Sequence, residues 1–347
     1  MNAYPDYCDD VRSTMEYTKM KKQLLYEVSV IRPVVIILLL FMHCFTPYQG
    51  AWTEFEGFIP NRFYFWMARF ITGFRIETIA LVAGYVFSYQ CRTLGREYGF
   101  LPFVKKKALR LLLPCYVFGF VYYLIFDSGE TVDIMDGISS VFKGAGHLWF
   151  LPMLFLCFVS VWLLNRYRPN ELVTFTLFSF LSMLPETFPV GLERYFHFLL
   201  YVYAGYLLWL YRGPILDKVM NPVCIILLVV GYSSLVYCYE YAGNIYLKAV
   251  IEYAMNMTGI LALYLAVSIF TTKPGYELSP VVINMSSQCY GLYVFHQFIL
   301  FYLYYHTSFT ANLGHWTPWL AFMITLSLSL LATRLFMKFK VGRFLIG

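Results

Sequence analysis

The chain has 347 residues, of which 60% are hydrophobic, 20% aromatic and only 13% charged. A soluble globular domain carries about a quarter of its residues as charges, so this composition excludes that class and describes a polytopic membrane protein. The formal charge of +6 does not point to nucleic acid, because in a membrane protein the placement of lysine and arginine matters more than their sum.

Residues 1–27 are polar and mixed in charge, with no short apolar core and no small-residue cleavage site. They read as a cytoplasmic segment rather than a secretory signal, with 28–347 as one integral-membrane domain. Apolar stretches of about 18 to 25 residues, the length that crosses a hydrocarbon core, recur from there almost to the end. The expected fold is all-α, a membrane helical bundle of about ten transmembrane helices. The spans read as 28–48, 68–90, 106–126, 146–164, 171–186, 194–211, 220–239, 246–271, 283–305 and 315–336. The fifth is the weakest, short or tilted. Ten spans put both termini on one side, the side that also gathers Lys105, Lys106, Lys107, Arg110, Arg334, Lys338 and Arg343. The positive-inside rule then places both termini in the cytoplasm. The acidic stretch DSGETVDIMDG, residues 127–137, falls in an outer loop. No internal repeat supports an inverted-repeat transporter architecture. The eight cysteines stand singly, which indicates neither a disulfide framework nor a zinc site, and no metal is expected.

Ionisable groups inside such spans are expensive and need partners. In IRPVVIILLLFMHCF, residues 31–45, Arg32 and His43 are eleven residues apart, so they share a helix face and lie about 16 Å apart along the axis. Pro33 is compatible with a first helical turn. Singly, Arg32 reads equally as a boundary anchor, and His43 as a histidine satisfied within the bundle. Together they suggest a channel along one face of the first helix. In FRIETIALVAGY, Arg75 and Glu77 point to different faces, so each is expected to meet another helix. Glu77 is read either as the group that orients or charge-balances His43 or as a structural link, and Gly84 permits close helix packing. Lys107 and Arg110, three apart on one face of KKKALRLLLP, suit a phosphate-rich ligand, although topology alone also explains a basic cluster there. GHLWFLPMLF places His147 and Trp149 at the outer interface, where aromatics are usually belt residues. SSQCYGLYVFHQF puts His296 and Gln297 inside the ninth span. Glu252 and Asn256 share a face and rank lower. His197, His306 and His315 lie near span ends and need no special explanation.

In this order and spacing, these stretches resemble membrane acyltransferase family 3, the integral-membrane O-acyltransferases of bacterial surface polysaccharides. The likeness runs over nearly the whole chain. An arginine, ten residues and a histidine on the first helix correspond to Arg32 and His43. The basic pair opening the third helix is usually Arg-x-x-Arg and here is Lys107 and Arg110, a point charge replacing one bidentate fork. FRIETIALVAGYVF is similar to the family's FRxPLFFFxSGY stretch, with Ala83 where serine is common.

The resemblance implies an acyl-CoA-dependent O-acetyltransferase with no permanently bound cofactor, acetyl-CoA or another acyl-CoA being the donor and a hydroxyl of a sugar or polysaccharide the acceptor. It implies a multi-pass protein of the bacterial cytoplasmic membrane, with the bilayer and surface-polysaccharide assembly proteins as partners. Lys107, Arg110 and Arg32 would hold donor phosphates. His43 would act as general base or accept the acyl group itself, with Glu77 beside it. Arg75, His147, Trp149, His296 and Gln297 would line the acceptor side or cavity. The rival is a transporter or exporter of a sugar-linked solute that uses the same groups as a proton relay.

Overall fold

The structure, a computed structural model, describes residues 7–127, 135, 137, 146–184 and 192–347. The acidic stretch 127–137 and the end of the 171–186 span lie outside the described residues, apart from 127, 135 and 137. Among the described residues the chain is all helical, with twelve α-helices and no strand. In chain order these are α1 Tyr7–Phe45, α2 Arg62–Thr72, α3 Arg75–Ser88, α4 Phe100–Tyr122, α5 Phe150–Tyr167 and α6 Glu171–Leu181. They continue as α7 Leu192–Val219, α8 Pro222–Tyr241, α9 Ile245–Thr271, α10 Pro280–Tyr305, α11 Thr317–Phe336 and α12 Lys340–Ile346.

Helix starts follow the local chemistry of the sequence. The side chains of Asn61, Asn170, Asn221, Asn244 and Ser279 each accept hydrogen bonds from main-chain N–H groups in the first turn that follows. In Asn221-Pro222 and Ser279-Pro280 the proline then occupies a position where a missing N–H costs nothing. Pro33, by contrast, is interior rather than in a first turn, because α1 begins far upstream at Tyr7.

By length and composition, seven segments are apolar enough to cross a membrane: Tyr26–Gln49, Arg62–Thr93, Phe100–Phe126, Gly146–Tyr167, Pro222–Tyr241, Ile245–Thr271 and Gly314–Phe336. α7 and α10 are as long, with 28 and 26 residues, but they carry polar groups, including His197 and Arg212 on α7 and Gln288, His296 and Gln297 on α10. α6 has 11 residues and so reaches only about 16 Å, too short to cross. The second span is broken. A turn at Gly73 and Phe74 separates α2 from α3, and Tyr232 of α8 donates a hydrogen bond to the Phe70 carbonyl freed near the break.

α3 and α7 cross in backbone contact. A Cβ on Gly84 would lie 1.7 Å from the Val202 carbonyl oxygen, and one on Gly205 would lie 1.9 Å from that of Leu81. Each glycine thus makes room for the other helix, as expected where lipid offers no hydrophobic drive and close packing must hold helices together. α1, α3, α5, α7 and α10 build the principal apolar core around this crossing. α8 lies at the periphery, burying only Tyr232 and Val236 and leaving Val223, Ile226, Leu227 and Val230 exposed.

Candidate active site

A cavity of about 660 Å³ opens between α1, α3, α4, α5 and α10. Arg32, Lys106, Lys107 and Arg110 line it, together with Gln90 and Tyr98, and no aspartate or glutamate does. None of these four cations has a carboxylate partner among the described residues. Arg32, Lys106 and Arg110 are exposed, whereas Lys107 is half-buried with its ammonium 3.3 Å from the centre of the Phe158 ring. Unpaired positive charge along one wall of an internal cavity is the electrostatic signature of an anion site. Much of the remaining wall is apolar, with Ile36, Val82, Ala83, Leu151 and Leu154, while Thr78, Ser286, Ser287 and Tyr293 also line it.

Beyond Tyr293 three histidines from three segments converge. His43 of α1 and His296 of α10 meet nitrogen to nitrogen, Nδ1 to Nε2, at 3.1 Å. His147, which precedes α5, packs its ring 4.7 Å from that of His296. His296 is fully buried and His147 is 6% exposed, while His43 keeps some accessible surface. Gln297 accepts a 2.7 Å bond from the His147 main-chain N–H, and His147 Nε2 lies 3.1 Å from the Val294 carbonyl. Trp52 stacks on His43 at 5.5 Å with 6° between the planes.

The hydrogen bonds assign the tautomers of the neutral pair. His296 Nδ1 lies 2.7 Å from the Tyr293 carbonyl and 3.2 Å from that of Leu292, so it carries the proton and donates. Its Nε2 is then an acceptor, and His43 Nδ1 must donate to it. That leaves His43 Nε2 as a lone pair with no hydrogen-bond partner among the described residues. The arrangement presents one oriented basic nitrogen, the requirement for a general base or nucleophile. Among the described residues no group of three or more His, Cys, Asp or Glu is placed to hold a metal ion.

A family model described as an acyltransferase domain, Acyl_transf_3, matches residues 25–337. The chain belongs to this family. It is a multi-pass membrane acyltransferase, and the matched region holds the cationic cavity and all three histidines. No curated protein and no solved structure matches the chain.

Within this acyltransferase the sequence-derived residues divide into two groups. Arg32, Lys107 and Arg110 share the cavity, and His43, His147, His296 and Gln297 share the cluster beyond it. Arg75, bonded through Nη1 to the Thr72 carbonyl at 3.1 Å, is close enough for its charge to act on His43 and His296. Glu77 is placed elsewhere. Its Oε1 faces His197 Nε2 at 3.4 Å, so it does not orient His43, because α3 presents that face to α7 rather than to α1. Trp149 is not itself in the cavity lining; it packs against Phe198 and Phe150, with Arg194 over its ring. His147, at the start of an apolar span, is buried, since Gln297 and Val294 hold it against α10.

His197, Tyr293, Lys106 and Trp52 are functional or structural neighbours that sequence reasoning passed over. Tyr293 could have been found: it lies three residues before His296, the spacing at which helical side chains are neighbours. His197 carried no signal beyond its position near a span end.

Proposed function

We propose that the protein moves an acyl group, acetyl in the first instance, from cytoplasmic acyl-CoA to a hydroxyl of a cell-surface or lipid-linked sugar. The observation that carries this reading is one cavity with four uncompensated cations on its wall, adjoining at its far end a histidine cluster with one free, oriented nitrogen. Diphosphate and ribose-phosphate groups suit Arg32, Lys106, Lys107 and Arg110, since charge-assisted contacts are strong where few compensating charges compete. The apolar wall past Ile36 and Val82 suits the slender pantetheine arm, which brings the thioester toward His43.

The chemistry is then a single displacement. His43 Nε2 takes the proton of the acceptor hydroxyl as its oxygen attacks the thioester carbonyl carbon. A carbon–oxygen bond forms, the carbon–sulfur bond breaks, and the leaving thiolate takes the proton from the imidazolium. His296 holds the productive tautomer throughout. The donor has to enter from the side on which acyl-CoA is made, so the cationic mouth faces the cytoplasm. This orientation agrees with the positive-inside distribution of the chain and with residence in a bacterial cytoplasmic membrane.

The test is transfer of label from [14C]acetyl-CoA to the extracted unacylated surface glycan by protein reconstituted in proteoliposomes. Wild type should transfer label, and His43→Ala should lower the rate about 10³-fold, as loss of an acid–base group does. Labelling by the variant at the wild-type rate would reject the assignment. Movement of solute without consumption of acetyl-CoA would favour a transporter.

A further inference from the structure

Among the described residues, Tyr293 is the only one that both lines the cationic cavity and holds a histidine of the cluster through hydrogen bonds. Its phenol donates to the His147 carbonyl at 2.5 Å, and its ring lies 5.2 Å from that of His147. Its own carbonyl accepts from His296 Nδ1 at 2.7 Å. The side chain is 7% exposed and Phe150, also in the cavity wall, packs on its ring at 6.4 Å. None of the three histidines is in the cavity wall. The ring of Tyr293 therefore stands between the space that would take the donor arm and the side of the cluster formed by His147 and His296.

The geometry points to Tyr293 as a gate and positioning residue that keeps the histidine cluster sealed from the donor cavity until a donor arm displaces its ring. This rests on the proposed acyl-CoA reading and extends it. A donor cavity open to the cytoplasm admits water as readily as it admits a thioester, and a free imidazole nitrogen activates either hydroxyl source. Without a seal, His43 would take a proton from water, the water oxygen would bond to the carbonyl carbon, and the carbon–sulfur bond would break. Acetate would form, and the thiolate would carry off the proton as free CoA. The enzyme would spend its donor without modifying any sugar. A tyrosine suits the sealing position because its ring fills space, while its single hydroxyl pins it to a main-chain carbonyl that cannot move away independently of α5. Because the Tyr293 carbonyl also orients His296, backbone adjustment on displacement of the ring is felt at the base itself.

The experiment compares wild type with Tyr293→Ala, Tyr293→Leu and Tyr293→Phe in proteoliposomes, using acetyl-CoA and no acceptor and following release of free thiol. Acetyl-CoA affinity is measured on the same samples by titration. The gate requires Tyr293→Ala to raise acceptor-free thiol release about tenfold, the scale of exposing an excluded site to water. Affinity should stay within about threefold, since the phosphate contacts are untouched. Tyr293→Phe keeps the ring but loses the hydroxyl that pins it, so its thiol release should rise by less than that of Tyr293→Ala. Tyr293→Leu, which fills part of the volume, should fall between them and serves as the test should the alanine variant fail to fold. Thiol release unchanged or lowered in both Ala and Leu variants, at unchanged donor affinity, overturns the gate. Wild-type protein that neither binds acetyl-CoA nor transfers its acyl group overturns the underlying reading instead, so the two failures are separable.

Discussion

His43 and His197 both sit inside the same bundle, and both face a second ionisable side chain, yet their nitrogens are used differently. His43 donates from Nδ1 to His296 at 3.1 Å and keeps Nε2 free. His197 faces Glu77 with Nε2 at 3.4 Å, so that nitrogen is spent on a carboxylate from α3. His197 thereby fastens α7 to α3, outside the cavity lining. A carboxylate beside an imidazole is often the sign of an activated base. In this bundle it marks the strut, and the base is the histidine whose partner is another histidine. The place of the free nitrogen, at the end of the cavity rather than at the crossing of α3 and α7, distinguishes reagent from scaffold better than the identity of the neighbour.

That contrast is most exposed at His296. Replacing it with alanine removes the acceptor that fixes the His43 tautomer, and transfer should fall about 100-fold while acetyl-CoA affinity stays the same. Turnover of His296→Ala within a few-fold of wild type would make the pair no different from the strut. Glu77→Gln probes the other side. It leaves His197 with a neutral partner in the protein interior, so thermal stability should drop by about 3 kcal/mol, within the range for breaking a buried pair. Turnover per folded molecule should change less than about fivefold, because Glu77 does not touch the reacting nitrogen. A loss of turnover as large as that of His296→Ala, with stability intact, would return Glu77 to the reaction centre.

The parts of this molecule that were legible in the sequence are those that depend on local spacing. Apolar stretches of membrane length, the shared face of Arg32 and His43, and the close-packing role of Gly84 all follow from periodicity within one helix. What escaped depends on partners far along the chain. The break at Gly73 lies in RFITGFRIE, which reads as continuous helix, and it is stabilised by Tyr232 from α8. The partner of Glu77 is decided by the crossing of α3 and α7, which Gly205 permits as much as Gly84 does. His147 opens an apolar stretch, and nothing in that stretch says that α10 covers it. The hydropathy of α7 and α10 is lowered by the very residues that give them internal partners, so length and polarity gave conflicting signals there.

The smallest expected effects lie at the cavity mouth, where two cations three residues apart differ in surroundings. Lys107 is half-buried with its ammonium over Phe158 at 3.3 Å, while Arg110 is exposed. A charge on an aromatic face and partly out of water is screened less by salt than one in open solvent. Lys107→Ala should therefore weaken acetyl-CoA binding about tenfold at low and at moderate salt, whereas the loss in Arg110→Ala should be about threefold at low salt and fade as ionic strength rises. Titrations of both variants across a salt series check this, with CoA lacking the ribose 3′-phosphate to show which contact each residue makes. Identical salt dependence in the two variants would mean that Phe158 does not shield Lys107, and that the mouth acts as a diffuse field rather than as two distinct phosphate contacts.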